Sequence, residues 1–136
     1  MKRHGILNRH LSNLVASIGH LDKIIVADAG LPIPNGVETI DLAISQGVPS
    51  FWDVIQALQT ELTIEAAWYA EEASEEVIAK MTDVIATWEQ DNDIPVRLET
   101  LSHEMLKEQA RNAKAVIRTG ECTPYCNLVL VSGVTF

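Results

Sequence analysis

The stretch Lys23-Ile24-Ile25-Val26-Ala27-Asp28-Ala29-Gly30-Leu31-Pro32-Ile33-Pro34-Asn35-Gly36 decides the fold. Its first half is an apolar, partly β-branched run closed by an acid, which predicts a buried strand. Its second half can be neither helix nor central strand, because two prolines remove backbone donors. The result is a rigid loop at the end of a strand, where α/β folds commonly place function.

Periodicity extends the pattern in both directions. Leu11, Leu14, Val15 and Ile18 predict a short helix over 11–18. Thr39 to Ile44 reads as a strand. Pro49 and Ser50 open a helix running to about Leu58, with Ser50 as N-cap and Asp53 in the first turn. Thr63 to Ala70 is a strand, Ser74 to about Trp88 an amphipathic helix, and Val96 to Leu98 a short strand. Ser102 caps a helix running through Arg111, and Ala115–Arg118 and Leu128–Val131 are apolar strands. This alternation predicts a layered α/β domain, with the strand order not legible.

The 136 residues suit a single domain covering 1–136, and 47% hydrophobic with 5% aromatic residues implies a core of Val, Ile, Leu and Ala. A formal charge of -9 argues against a nucleic-acid backbone or an anionic membrane as partner. Between Glu61 and Asp93 only Lys80 offsets a run of acids, so this segment reads as a solvated acidic helix face. A calcium loop needs a regular ligand spacing that the run lacks. Met1-Lys2-Arg3-His4 has no apolar stretch behind it, and no apolar run reaches membrane-spanning length. Two cysteines make no disulfide framework, so a cytoplasmic location is expected.

Several residues could carry chemistry, each beside a structural alternative. His20 follows Gly19 where the first helix ends, so it either caps that helix or moves protons near neutral pH. Asp28 either fixes a turn or orients a histidine or a sugar hydroxyl. His103, in the first turn of its helix, is either an idle surface residue or a neutral imidazole free to accept a hydrogen bond. Pro124-Tyr125-Cys126-Asn127 is either an ordinary entry to a strand or a sugar platform, with an aromatic face and an amide. Cys122 and Cys126 have no neighbouring ligands, so no metal site is expected. Phosphate-loop and nucleophile-elbow patterns are both missing.

Taken together the segments resemble the D-ribose pyranase and fucose mutarotase family, its ribose branch most closely. The resemblance spans the chain. It rests on Met1-Lys2, Gly5 and Leu7-Asn8, on Gly19-His20, on Asp28 to Pro34, and on Ile40-Asp41. It continues through Gln46 to Phe51, Glu65-Ala66-Ala67, Ala70-Glu71-Glu72, Ala115 to Tyr125, Asn127, and Gly133 to Phe136.

That resemblance implies a three-layer α/β/α domain with a mixed sheet, assembled into homo-oligomeric rings, as a decamer of two pentamers with sites near subunit boundaries. It implies an isomerase that exchanges the β-pyranose and β-furanose forms of D-ribose without cofactor or metal. His20 matches the family's proton donor; Asp28, His103, Tyr125, Cys126 and Asn127 match positions that contact the sugar. Cys126 stands where a small residue such as alanine is expected, a change that a backbone contact survives. The neighbouring alternatives are an L-fucose mutarotase and a non-catalytic sugar-binding accessory of a transport system.

Overall fold

Three serine-capped helices and an apolar central strand set the frame. In the computed structural model, which describes Met1–Phe136, the elements run α1 (Arg9–Ser17), β1 (Lys23–Ala27), β2 (Thr39–Asp41), α2 (Phe51–Gln59), β3 (Ile64–Ala70), α3 (Glu75–Asn92), β4 (Arg97–Leu101), α4 (His103–Gln109), β5 (Ala115–Arg118) and β6 (Leu128–Ser132). Ser50, Ser74 and Ser102 each accept a backbone N–H three residues on, and Ser50 with Asp53 completes a capping box. Asn8 caps α1 in the same way, accepting from His10 N and Leu11 N.

The strands form one sheet in the order β2-β5-β1-β6-β3-β4. β1 lies parallel to β5, β5 to β2 and β3 to β4, while β6 runs antiparallel to both β1 and β3. Five strands therefore point one way and β6 alone points the other. The C-terminal ends of the five share one edge of the sheet, together with the start of β6.

Alternation along β1 sends Ile24 and Val26 to one face and Ile25 and Ala27 to the other. The first face packs against Leu14 of α1, Phe51 and Leu58 of α2, and Met81 and Trp88 of α3. Trp88 is fully buried, and its indole N–H donates to Leu62 O at 2.8 Å, so the largest core side chain carries no unpaired donor. The second face is covered by Leu106 of α4, by Ala110, and by Leu31 from the proline loop. Helices thus cover both faces of a mixed sheet, as expected.

Besides shifts of one or two residues at the ends of α1, β1, β3 and β6, four boundaries differ from the sequence expectation. β2 stops at Asp41 rather than Ile44, because Asp41 Oδ1 accepts from Ala43 N at 3.0 Å and turns the chain. α3 passes Trp88 and continues to Asn92, where Asp93 leaves the helix at φ 52. β4 covers Arg97–Leu101 instead of Val96–Leu98, drawn on by its full pairing with β3. α4 tightens into a 3-10 turn at Ala110–Asn112 before Arg111 is passed. No helix is long and apolar enough to cross a membrane.

Candidate active site

At the shared C-terminal edge, the end of β1 meets the start of β6. Asp28 N donates to Asn127 Oδ1 at 2.8 Å, and Asn127 Nδ2 donates back to Asp28 Oδ2 at 3.0 Å. Asp28 Oδ1 accepts from Gly30 N at 3.0 Å, the Asx turn that a strand-ending acid allows. Ala29 is pinned on both sides: its N donates to Glu121 O at 2.8 Å, and its O accepts from Arg118 Nε at 3.1 Å. The carboxylate is thereby held in one orientation on rigid backbone.

Beside it lies a cleft of about 480 Å³ lined by Asp28 to Pro32, His103 and Glu121 to Tyr125. This volume falls within the range of small-molecule sites. His103 begins α4, and its N–H donates to both carboxylate oxygens of Glu72 at 2.9 and 3.1 Å. Its ring stands edge-on to Tyr125, with centroids 5.0 Å apart and planes at 81°. Nδ1 of His103 is buried with no hydrogen-bond partner, which marks a polar atom awaiting one. Tyr125 sits at φ 59 in the turn that Cys126 N closes onto Thr123 O at 3.4 Å, with Pro124 before it. A non-glycine residue in that region is strained, and the turn holds the phenol against His103.

Glu121 was not among the residues singled out from sequence. Burial pushes its carboxyl up, but hydrogen bonds from Thr123, Phe51 N and Cys122 N outweigh this and leave it below the ordinary range. Thr123 Oγ1 donates to it at 2.8 Å and Phe51 N at 3.3 Å, so Glu121 ties the cleft loop to the start of α2. The visible signal was an acid inside the otherwise uncharged run Thr119 to Leu128.

Cys126 and Asn127 lie beneath the cleft rather than in its wall. Both are fully buried, and burial pushes the Cys126 thiol up to about 12, with Glu121 and Asp28 adding to the effect. The Cys126 side chain belongs to the core under the three-helix face, so only its backbone is free to serve a ligand. The Asn127 amide is turned onto Asp28.

His20 is elsewhere. It precedes β1, whereas Asp28 follows it, and the five residues of β1 alone span roughly 16 Å. His20 sits in the turn Gly19–Asp22, closed by Asp22 N onto Gly19 O at 3.2 Å and by Gly19 N onto Asp22 Oδ2 at 2.9 Å. Within the chain Asp28 therefore does not hold His20, one of the uses open to it from sequence. The partner of His20 is Glu65, whose Oε2 lies 3.0 Å from Nε2. Glu65 also corrects the reading of residues 61–93 as one helix face, since it belongs to strand β3. Around His20 a second cavity of about 400 Å³ is lined in part by Val15, Ile18, Thr63 and the terminal segment Ser132–Phe136.

The model of the RbsD / FucU transport protein family matches residues 1–135. The chain belongs to that family. Among curated RbsD / FucU relatives, a D-ribose pyranase of Proteus mirabilis is 45% identical over 139 residues, and one of Bacillus cereus is 47% identical over 136, each covering all of both chains. The structure of Bacillus subtilis RbsD complexed with D-ribose matches with a TM-score of 0.89 at 42% identity, over all of both chains. A fucose mutarotase in complex with L-fucose from Streptococcus pneumoniae matches with a TM-score of 0.79 over 98% of this chain and 99% of that one. At 20% identity the latter shows a shared fold only.

Proposed function

We propose that the chain is a D-ribose pyranase, an isomerase that exchanges the β-pyranose and β-furanose rings of D-ribose. The observation that carries this reading is the full-length match, at 45–47% identity, to curated D-ribose pyranases by a chain whose Asp28, His103 and Tyr125 line one cleft.

Exchange needs ring opening to the aldehyde and reclosure through a different hydroxyl. In opening, the bond from the anomeric carbon to the ring oxygen breaks, the ring oxygen gains a proton, and the anomeric hydroxyl loses one. In closing, the C4 hydroxyl adds to the aldehyde carbon and loses its proton, while the carbonyl oxygen regains one. His20 gives the proton to the ring oxygen and takes it back from the C4 hydroxyl. A group of the Asp28–His103 cleft handles the anomeric proton. Neither residue is changed at the end of the cycle, and acid–base help of this kind is worth ~10²–10⁴-fold. A sugar hydroxyl gives the buried His103 Nδ1 its missing partner, Tyr125 offers its ring face and hydroxyl, and Asn127 keeps Asp28 aimed.

Because His20 and Asp28 sit at opposite ends of β1, one chain does not hold a complete site. Assembly in a closed ring supplies the missing half, with the His20 end of one subunit against the Asp28 cleft of the next. Apolar groups flank both ends: Leu21 and Phe136 are exposed near His20, and Met105 and Tyr125 near the cleft. A decamer of two pentameric rings satisfies this reading. The two cysteines are unpaired, which suits the reducing cytoplasm.

Saturation-transfer NMR on D-ribose, with the protein and with His20→Ala beside it, tests the reading. Faster pyranose–furanose exchange that the variant loses is the expected result. Ribose binding without faster exchange would replace the enzyme by a sugar-binding accessory. Acceleration with L-fucose alone would move the activity to the fucose branch.

A further inference from the structure

β3 and β6 pair with a flaw. Ile64 lies opposite Ser132 and Ala66 opposite Val131, so β3 advances two residues while β6 advances one. Glu65 is the extra residue, and a bulge of this kind re-aims a side chain and tends to occur next to active sites. Gly133 makes room for it: a Cβ there would lie 3.3–3.4 Å from Ile64 C, Glu65 N and Glu65 Cβ. The same terminal segment stitches both partners in place, since Gly133 N donates to Thr63 O and Leu21 N to Ser132 O, each at 3.0 Å. On the other side, the His20 turn is fixed by Leu21 at φ 67, a conformation that a leucine adopts at a cost of about 1–2 kcal/mol. Two strained or irregular pieces of backbone thus converge on one contact, Glu65 Oε2 to His20 Nε2 at 3.0 Å.

We infer that Glu65 is the positioning residue of His20, holding its Nε2–H so that Nδ1 is the nitrogen that exchanges protons with the sugar. The inference rests on His20 as the proton donor of the proposed reaction. An ionised carboxylate only accepts hydrogen bonds, so the nitrogen facing it carries a hydrogen whether the imidazole is neutral or charged. The hydrogen bond made by one ring nitrogen decides the role of the other. The proton passed to the ring oxygen therefore leaves from Nδ1 as the anomeric carbon–oxygen bond breaks. It returns to Nδ1 from the C4 hydroxyl on closure, with Nε2–H unchanged throughout.

The test pairs exchange kinetics on D-ribose with 15N NMR of histidine-labelled protein in mildly alkaline buffer, for wild type, Glu65→Gln and Glu65→Ala. Glu65→Ala is expected to lose about ten- to hundredfold in kcat, the scale of losing an orienting partner, with KM nearly unchanged. Glu65→Gln, whose amide oxygen still accepts from Nε2, is expected to keep most of kcat. The neutral His20 ring should show a protonated Nε2 in wild type and Glu65→Gln, and a mixture of tautomers in Glu65→Ala. Wild-type kcat in Glu65→Ala, equal losses in both variants, or a His20 tautomer insensitive to Glu65 would overturn the assignment. The NMR reading needs no turnover. A wild-type protein that fails to accelerate ribose exchange counts against the pyranase reading, and the tautomers still decide the contact.

Discussion

Asp28 and Asn127, ninety-nine positions apart in sequence, close a ring of two hydrogen bonds of 2.8 and 3.0 Å between the end of β1 and the start of β6. The pair joins an antiparallel neighbour at the one edge where five strands finish together. It turns a fully buried amide into the support of a half-buried carboxylate. Asn127→Ala removes both bonds and leaves the Asp28 N–H without its acceptor. A loss of about 1–3 kcal/mol is expected in urea unfolding, together with weaker ribose binding. An unchanged unfolding midpoint would show that the pair does not support the edge.

Gly120 gives a second, purely steric prediction. A Cβ at this position would lie 2.5 Å from Val48 O and 2.6 Å from both Ser45 O and Val48 N, all backbone atoms that cannot swing aside. Gly47 N donates to Gly120 O at 2.6 Å and Gly120 N to Pro49 O at 2.9 Å, so the two loops are stitched where they touch. Gly120→Ala is expected to cost the upper part of the 1–3 kcal/mol typical of overpacking, a fall of about 10 °C in thermal midpoint. A midpoint within a degree or two of wild type would refute the close approach.

Much of this architecture was legible because single residues carried it. The apolar run before Asp28 made β1, the prolines made the loop, and Ser50, Ser74 and Ser102 marked three helix starts. What stayed hidden depended on contacts between distant segments. β2 ends early through a side chain–backbone bond that a β-favouring run does not announce. The bulge at Glu65 is set by the pairing with β6, so the acid looked like one more member of a charged run. The separation of His20 from Asp28 was available in principle, since a strand lies between them. Its consequence emerges only once β6 fixes both ends of that strand in space.

Glu121 predicts a pH dependence. Its folded value lies below its ordinary one, so its contribution is fully present above the usual carboxylate pKa of about 4.3 and is lost as pH falls through the lowered value. Comparing urea midpoints of wild type and Glu121→Gln from neutral to acidic pH reads this directly. The wild-type advantage should be constant near neutrality and shrink below about pH 4. An advantage that persists unchanged into acid would mean that the carboxylate charge is not what ties the cleft loop to α2.

Tyr125 separates stability from binding. Its backbone at φ 59 suits glycine, so Tyr125→Gly relieves about 1–2 kcal/mol of strain while removing the ring that His103 meets edge-on. The strain relieved offsets the lost ring contact and the added chain entropy of glycine, each about 1 kcal/mol, so the variant is expected to unfold in urea close to wild type, yet to bind ribose at least tenfold more weakly. Tyr125→Phe keeps the ring and the strain, and should retain the fold while losing only the hydroxyl's share of affinity. Ribose binding by Tyr125→Gly at wild-type strength would remove Tyr125 from the site.

The placement of His20 and Asp28 at the two ends of β1 gives the last prediction, on mixed assemblies. His20→Ala and Asp28→Asn are each expected to be inactive alone. If a site takes His20 from one subunit and Asp28 from the next, subunits unfolded together and refolded as a mixture regain intact sites. Random placement in a closed ring makes a neighbouring pair complete with probability one half times one half, so about a quarter of wild-type exchange should return. Mixing without refolding should restore nothing unless rings trade subunits. Failure to recover activity after co-refolding, with both variants assembled, would place the whole site in one subunit and leave the opposed ends of β1 without a catalytic meaning.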